Sequence, residues 1–392
     1  MLGDLDKRDT LLLKGLAISA IVFHNFFHLV CPAHQNEFSF NPARFWVFLK
    51  TVNSPVSAIE SFFAFFGHFG VELFVFLAAY GLAKSHWSDP APWGRFMWER
   101  IAKLYPVFGL VVLPWFVVMA FHFGLAEMIR ADGGKLLWMF AGISDLIPGY
   151  RLPPIGPWWF IPFIVQFYAL WPVLRWFTNR FGQRGLLVLA ASCLVLVLAA
   201  DRSLACWSMS LLDTPLGHMP EFCLGIAAAR FRMRLHPEVV AASAAALLLG
   251  SMYRMMWPLT YISALIVSLA IYLWLRPLLR NFQILARIGE YSLLIFLVNG
   301  VVRIQFLDDA TSPGAALFSC CLCAAVSFAV AAIVQEFLLP PGIADKFKLA
   351  SCAANDAEDL TLALDRWVAT LAAAGPSQPA SHTGAPGLFP TK

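Results

Sequence analysis

Apolar runs long enough to cross a membrane recur along the whole chain, and nothing else limits its possible folds so sharply. A spanning helix needs roughly 20 mostly apolar residues. Ten such runs stand at about 11–31, 62–83, 104–123, 157–177, 185–200, 215–231, 238–256, 258–275, 291–307 and 315–338 of the 392 residues. A soluble core could not absorb them. The chain is 59% hydrophobic and only 13% charged, against roughly half and a quarter for a soluble domain. Most cytosolic enzymes, secreted modules and disordered proteins are thereby excluded. The formal net charge of +4 does not call for nucleic acid. The cysteines fall mostly inside apolar runs, where a disulfide framework is not expected. The first run is read as a retained span and not as a cleavable signal.

The distribution of Lys and Arg orients these runs. With the amino terminus in the cytoplasm, the outward-facing loops hold Arg44, Lys50, Arg130, Lys135, Arg151, Arg202, Arg254 and Arg303, eight of the 28 basic residues. The inward-facing loops and ends hold the rest, as the positive-inside rule requires. The expected fold is all-α: a polytopic integral membrane protein of about ten transmembrane helices with both termini cytoplasmic. Residues 1–345 form the membrane domain. Residues 346–392 form a cytoplasmic tail, with one amphipathic helix expected at 356–373 and then a partly disordered Pro/Ser/Gly/Ala end. The stretch at 136–148 is too short to span and is expected to dip into the membrane or lie on it.

Ionisable groups at bilayer depth cost several kcal/mol and mark functional positions. In the first run His24 and His28 are four residues apart and share a face, with Asn25 between them. Lys14 lies ten residues before His24, roughly 15 Å along a helix axis. That places Lys14 near the cytoplasmic surface and His24 near the middle. The second run carries His68 and Glu72, again four apart. A carboxylate there must be paired, protonated or solvated. Pairing with a first-run histidine would fix a tautomer and raise the basicity of the imidazole, as general-base chemistry needs; alternatively the pair only locks two helices together. Arg100 and Lys103, one turn apart before Tyr105-Pro106, are either topology anchors or a cationic rim for phosphate. Gln166 is the strong polar group deep in the fourth run, and Asn299 and Arg303 share a face in the ninth.

Five blocks occur in a fixed order. They are Lys14-Gly15-Leu16-Ala17 leading to His24, then Gly67-His68-Phe69-Gly70-Val71-Glu72-Leu73-Phe74, and then Arg100 and Lys103 before Tyr105-Pro106. The fourth runs Trp159, Gln166, Phe167-Tyr168 and Pro172, and the last Gly289 to Ser292. On these blocks, over about residues 8–338, the chain resembles the membrane acyltransferase 3 family, integral membrane O-acyltransferases of bacterial envelope glycans. It departs from the family pattern in three places. Eleven residues after Lys14, where the family's histidine usually lies, stands Asn25, with His24 beside it. Ala78-Ala79 replaces a Ser-Gly pair, and Asn299 stands at the position of the late histidine or polar residue.

The resemblance implies an enzyme, an acyltransferase of groups other than amino-acyl groups, multi-pass in the bacterial inner membrane. It would move an acyl group, most simply acetyl, from cytoplasmic acyl-CoA to a hydroxyl of a cell-envelope or exported glycan or glycolipid. Lys14, Arg100 and Lys103 would meet the CoA phosphates. His24 would act as general base or relay the acyl group, and Glu72 would orient it. The partners are the lipid bilayer, acyl-CoA and the glycan acceptor, with no nucleic acid; no metal is implied. The rival readings are a glycolipid or polysaccharide transporter or flippase without acyl transfer, and a scaffold in an envelope-glycan complex. Thioester cleavage separates the enzyme from both.

Overall fold

The computed structural model describes residues 2–338, apart from 36, 37, 39, 53, 89, 90 and 232 and the side chains of 202 and 205. The expected tail at 346–392, with its amphipathic stretch, lies outside the described residues. Among the described residues the chain is helical, with no strand. A helix satisfies its own backbone N–H and C=O groups, which is what lipid demands of a spanning segment.

The α-helices follow in chain order as α1 (Lys7–Val30), α2 (Pro42–Thr51), α3 (Pro55–Phe66), α4 (Gly70–Ser85), α5 (Trp93–Phe123), α6 (Leu125–Met128) and α7 (Gly134–Phe140). After them come α8 (Phe160–Leu204), α9 (Met219–Arg230), α10 (Pro237–Met252), α11 (Leu259–Leu279), α12 (Gln283–Glu290), α13 (Ser292–Val302) and α14 (Pro313–Ile333). Six stretches are long and apolar enough to cross a membrane: Lys7–Val30, Pro55–Ser85, Trp93–Phe123, Gly156–Asp201, Leu259–Leu279 and Pro313–Leu338. A seventh is added if Gln283–Glu290 and Ser292–Phe306, bent by 77°, count as one. The chain is a multi-pass membrane protein. Phe121, Trp274, Phe318 and Phe337 stand exposed on its outside, where lipid replaces water.

The expected runs take another form in three places. Those at 157–177 and 185–200 join as α8, broken at Gly182 (φ 62°, ψ −155°), a backbone conformation open to glycine. The run at 215–231 shortens to the 12 residues of α9, because Pro220 sits in its first turn and sets the start of the helix. The run at 238–256 gives the 16-residue α10, which stops where Tyr253 turns extended.

The amino end of α1 is a meeting point. Asp6 and Asp9 form a capping box, each side chain accepting the other's backbone N–H, at 2.9 and 3.0 Å. The buried Asp9 carboxylate also accepts from the Tyr272 hydroxyl (2.7 Å) and from Arg276 Nε (2.9 Å) of α11. Arg280 pairs with Asp6. Tyr80 of α4 donates to the carbonyls of Gly3 (3.2 Å) and Leu5 (3.0 Å), so α4 runs antiparallel to α1. Small residues let these backbones touch. A Cβ at Gly289 would lie 2.0 Å from the Leu11 carbonyl oxygen, so α12 packs directly on α1. The short helical turn Gly67–Phe69 between α3 and α4 presses on α1 farther along. A Cβ at Gly67 would lie 2.8 Å from both the Ala20 oxygen and His24 Cβ.

Candidate active site

The approach of Gly67 brings three histidines together. His24 on α1, buried, has its ring centroid 5.2 Å from that of His28 and 5.3 Å from that of His68. The His28 ring in turn lies 4.9 Å from that of His34, just past α1. His24 Nδ1 lies 3.1 Å from the carbonyl oxygen of Phe63 on α3. A carbonyl only accepts, so Nδ1 carries the hydrogen, and a neutral ring then keeps its lone pair on Nε2. Neither ring nitrogen of the buried His68 has a hydrogen-bond partner among the described residues, and neither has His28 Nδ1. Buried polar atoms are seldom left so, since each costs about 1–3 kcal/mol. Both rings flank that of His24.

Asn25 faces another way. Its Nδ2 donates to Asn299 Oδ1 of α13 at 3.0 Å, and its backbone oxygen accepts from Arg303 Nη1 at 2.8 Å. Of the two neighbouring residues, His24 enters the histidine group and Asn25 joins α1 to α13.

Glu72 does not orient His24. Its Oε2 accepts from His218 Nδ1 at 3.0 Å, with both side chains buried, and the Phe63 carbonyl does the orienting instead. The reason is directional: α4 meets α1 through Gly70, where a Cβ would lie 2.6 Å from the Ala17 carbonyl oxygen, whereas the Glu72 side chain points to His218 ahead of α9. Glu221, in the first turn of α9, completes the group. Ligating atoms of Glu72, His218 and Glu221 all lie within 4.8 Å of one another. Tyr261 stacks on the His218 ring at 5.3 Å and 12°, and Phe163 meets it edge-on at 5.1 Å. His218 and Glu221 are functional candidates that sequence reasoning missed. Their signal was the polar interruption His218-Met219-Pro220-Glu221 in an otherwise apolar run, which reads first as a weak span.

Arg100, one of the residues expected to form a cationic rim, lies at the other end of α4, beside His86. Arg100 Nη2 donates to His86 Nε2 at 2.6 Å, with its guanidinium 5.2 Å from the Phe96 ring centroid and 6.0 Å from that of Tyr168. Arg175 Nη1 reaches the His86 carbonyl oxygen at 3.5 Å. Burial, with Arg100 and Lys103 nearby, pushes His86 down to about 4, so the ring stays neutral and accepts the arginine's hydrogen bond. Lys14 lies partly buried on α1, ten residues before His24.

The family model described as an acyltransferase domain matches residues 9–334. The chain belongs to the membrane acyltransferase 3 family. No curated protein and no solved structure matches it. As a membrane acyltransferase it is an enzyme that transfers groups other than amino-acyl groups. The match takes in the histidine group, the Glu72–His218–Glu221 group and Arg100. The acyltransferase also folds the stretch at 136–148 back on α8: Gln166 Nε2 donates to Asp145 Oδ1 (2.5 Å) and to the Gly142 carbonyl oxygen (3.1 Å). Close to Asp145, the Arg151 guanidinium pairs with Asp213 at 3.1 Å. Burial pushes Asp145 up to about 6 and Asp213 up to about 7, the latter against the pull of Arg151.

Proposed function

We propose that this acyltransferase moves an acyl group, most simply acetyl, from cytoplasmic acyl-CoA to a hydroxyl of a cell-envelope or exported glycan, with His24 as general base. The observation that carries the reading is the 3.1 Å bond from His24 Nδ1 to the Phe63 carbonyl oxygen. It leaves Nε2 as a proton acceptor in a buried ring beside the unpartnered nitrogens of His68 and His28.

In this reading Nε2 takes the proton of the acceptor hydroxyl as its oxygen attacks the thioester carbonyl carbon. The C–S bond then breaks, and the departing CoA sulfur recovers the proton from His24. Lys14, Arg100 and Lys103 hold the CoA phosphates. Two features support that role for Arg100: its buried Nε has no partner among the described residues, and its hydrogen-bond partner His86 is neutral and brings no negative charge. The proposed topology keeps ten crossings, with the two legs of α8, the short α9 and α10 and the bent α12–α13 pair each counted, in a bacterial inner membrane. Both termini are cytoplasmic in it, as the loop charges favour.

The test follows thiol release from acetyl-CoA by the purified full-length protein in lipid nanodiscs, with and without an envelope-glycan extract. The expected result is CoA release that the acceptor accelerates and that His24→Gln removes. A folded protein that cleaves neither acetyl-CoA nor longer acyl-CoA in the presence of acceptor would overturn the reading. Glycolipid movement without thioester cleavage would put the flippase in its place.

A further inference from the structure

The group formed by Glu72, His218 and Glu221 lies outside the acyl-transfer chemistry above and poses its own electrostatic problem. Glu72 is 1% and Glu221 0% exposed. Glu221 has no hydrogen-bond partner on either carboxylate oxygen among the described residues. Among the described residues Glu72 has one charged or chargeable partner, His218. Two carboxylates this close in a dry interior repel one another, and neither has water to screen it. Glu221 stands in the first turn of α9, but a helix terminus supplies only about half an elementary charge. A neutral imidazole supplies none.

One remedy is a proton. A protonated Glu221 would be a donor, and donors in such settings find an acceptor; neither of its oxygens has a hydrogen-bond partner among the described residues. The other remedy is a cation. One imidazole nitrogen and two carboxylate oxygens, mutually within 4.8 Å, are the donor types and number that hold zinc at sites keeping one position open. A divalent ion would cancel the two negative charges in full. The aromatic rings of Tyr261 and Phe163 already fix the plane of His218, as a metal-ligating imidazole requires.

We propose that Glu72, His218 and Glu221 form a binding site for a divalent transition-metal ion, zinc by its donor set, that clasps α4 to the start of α9. The ion is held within the bundle by ligands from the two helices' facing ends, one turn along α4 from His68. The proposal stands apart from the identity of acyl donor and acceptor. Because its ligands bind in their deprotonated forms, uptake releases protons and weakens in acid.

The experiment uses the full-length protein purified in detergent without chelator. Elemental analysis should find about one zinc ion per chain, and chelation should lower the melting temperature, with Zn²⁺ alone restoring it. Co²⁺ added to the stripped protein should give the visible absorption of a low-coordinate site. Glu221→Gln and Glu72→Gln should each lose the zinc and the cobalt spectrum while remaining monodisperse. Should those variants not fold, the chelation and restoration of the unaltered protein decide the matter alone. The proposal is overturned if the protein as purified holds no metal and neither Zn²⁺ nor Co²⁺ shifts its melting temperature. Full zinc content in both folded variants overturns it equally. A melting temperature that rises in metal-free Glu221→Gln would identify a shared proton as the true remedy.

Discussion

His24 donates from Nδ1 to the backbone oxygen of Phe63, 39 positions away on the next long helix, across a distance of 3.1 Å. A backbone carbonyl cannot be removed by side-chain substitution, so the tautomer of His24 is set by the fold itself.

This relationship predicts how His24 variants behave. Glutamine keeps a donor for the Phe63 carbonyl and roughly the same volume, but takes no proton at neutral pH. His24→Gln should therefore cost roughly 100- to 10,000-fold in acyl-transfer rate, nearly as much as His24→Ala, with normal expression and melting temperature. His28→Ala should cost much less. If His24→Gln retains the rate and His28→Ala loses it, the base is His28.

Arg100→Ala should raise KM for acyl-CoA far more than it lowers kcat, because the guanidinium meets the donor's phosphates and not the reacting carbon. Steady-state kinetics in low and high salt give the check. The gap between variant and unaltered enzyme should narrow as salt screens the lost charge. An unchanged KM in an inserted variant would return Arg100 to the role of membrane anchor.

Asp145 and Asp213 predict a pH dependence with a definite sign. Each carboxyl is raised above its ordinary 3.8, Asp145 to about 6 and Asp213 to about 7. The folded chain thus keeps protons that the unfolded chain releases. Their contribution to stability is fully present below pH 3.8 and is lost as pH rises through about 6 and then about 7. Thermal unfolding from pH 4 to 8 should show a component that weakens with rising pH, and Asp213→Asn should flatten its upper part. An identical profile in the variant would count against Asp213 as its source.

Gly289→Ala should destabilise the bundle, since the added Cβ would stand 2.0 Å from the Leu11 carbonyl oxygen. Forcing such a fit typically costs 1–3 kcal/mol or more. Gly81→Ala, with nothing within 4 Å of the added carbon, is the matched control. Melting temperatures in one detergent suffice, and equal values for the two variants would show that α12 and α1 can part at no cost.

The membrane class and the helical nature of the chain were legible because lipid imposes one simple rule, a run of apolar residues long enough to span. Lys14 and His24 stand out in the sequence because ionisable groups in such a run are rare, and Arg100 because it stands before Tyr105-Pro106. What the runs did not reveal was which side chains meet. Glu72 sits one turn from His68 and was read as facing α1. Its partner is His218, 146 residues onward, and no local spacing encodes such a pairing. The shortness of α9 had the same root: His218, Pro220 and Glu221 read as defects in a span, whereas in the fold they begin a helix and populate a site. Asn25 and His24 also could not be told apart by register alone. Their separation came from α13, where Asn299 claims Asn25.

The joint at Asp9 has a bearing on how the chain is made. Its acid group is buried at the start of the first helix, yet the hydroxyl and guanidinium that satisfy it belong to residues 263 and 267 positions later. At ribosomal speeds of about 5–20 residues per second, those partners emerge roughly 13 to 53 seconds after Asp9 does. Throughout that interval the Asp9 carboxylate has only the local capping-box bond from Asp6, and its pairing across the bundle waits for α11. Assembly in the bilayer is therefore closed from the far end of the sequence, and a nascent chain released before Arg276 lacks the latch that fixes its own beginning.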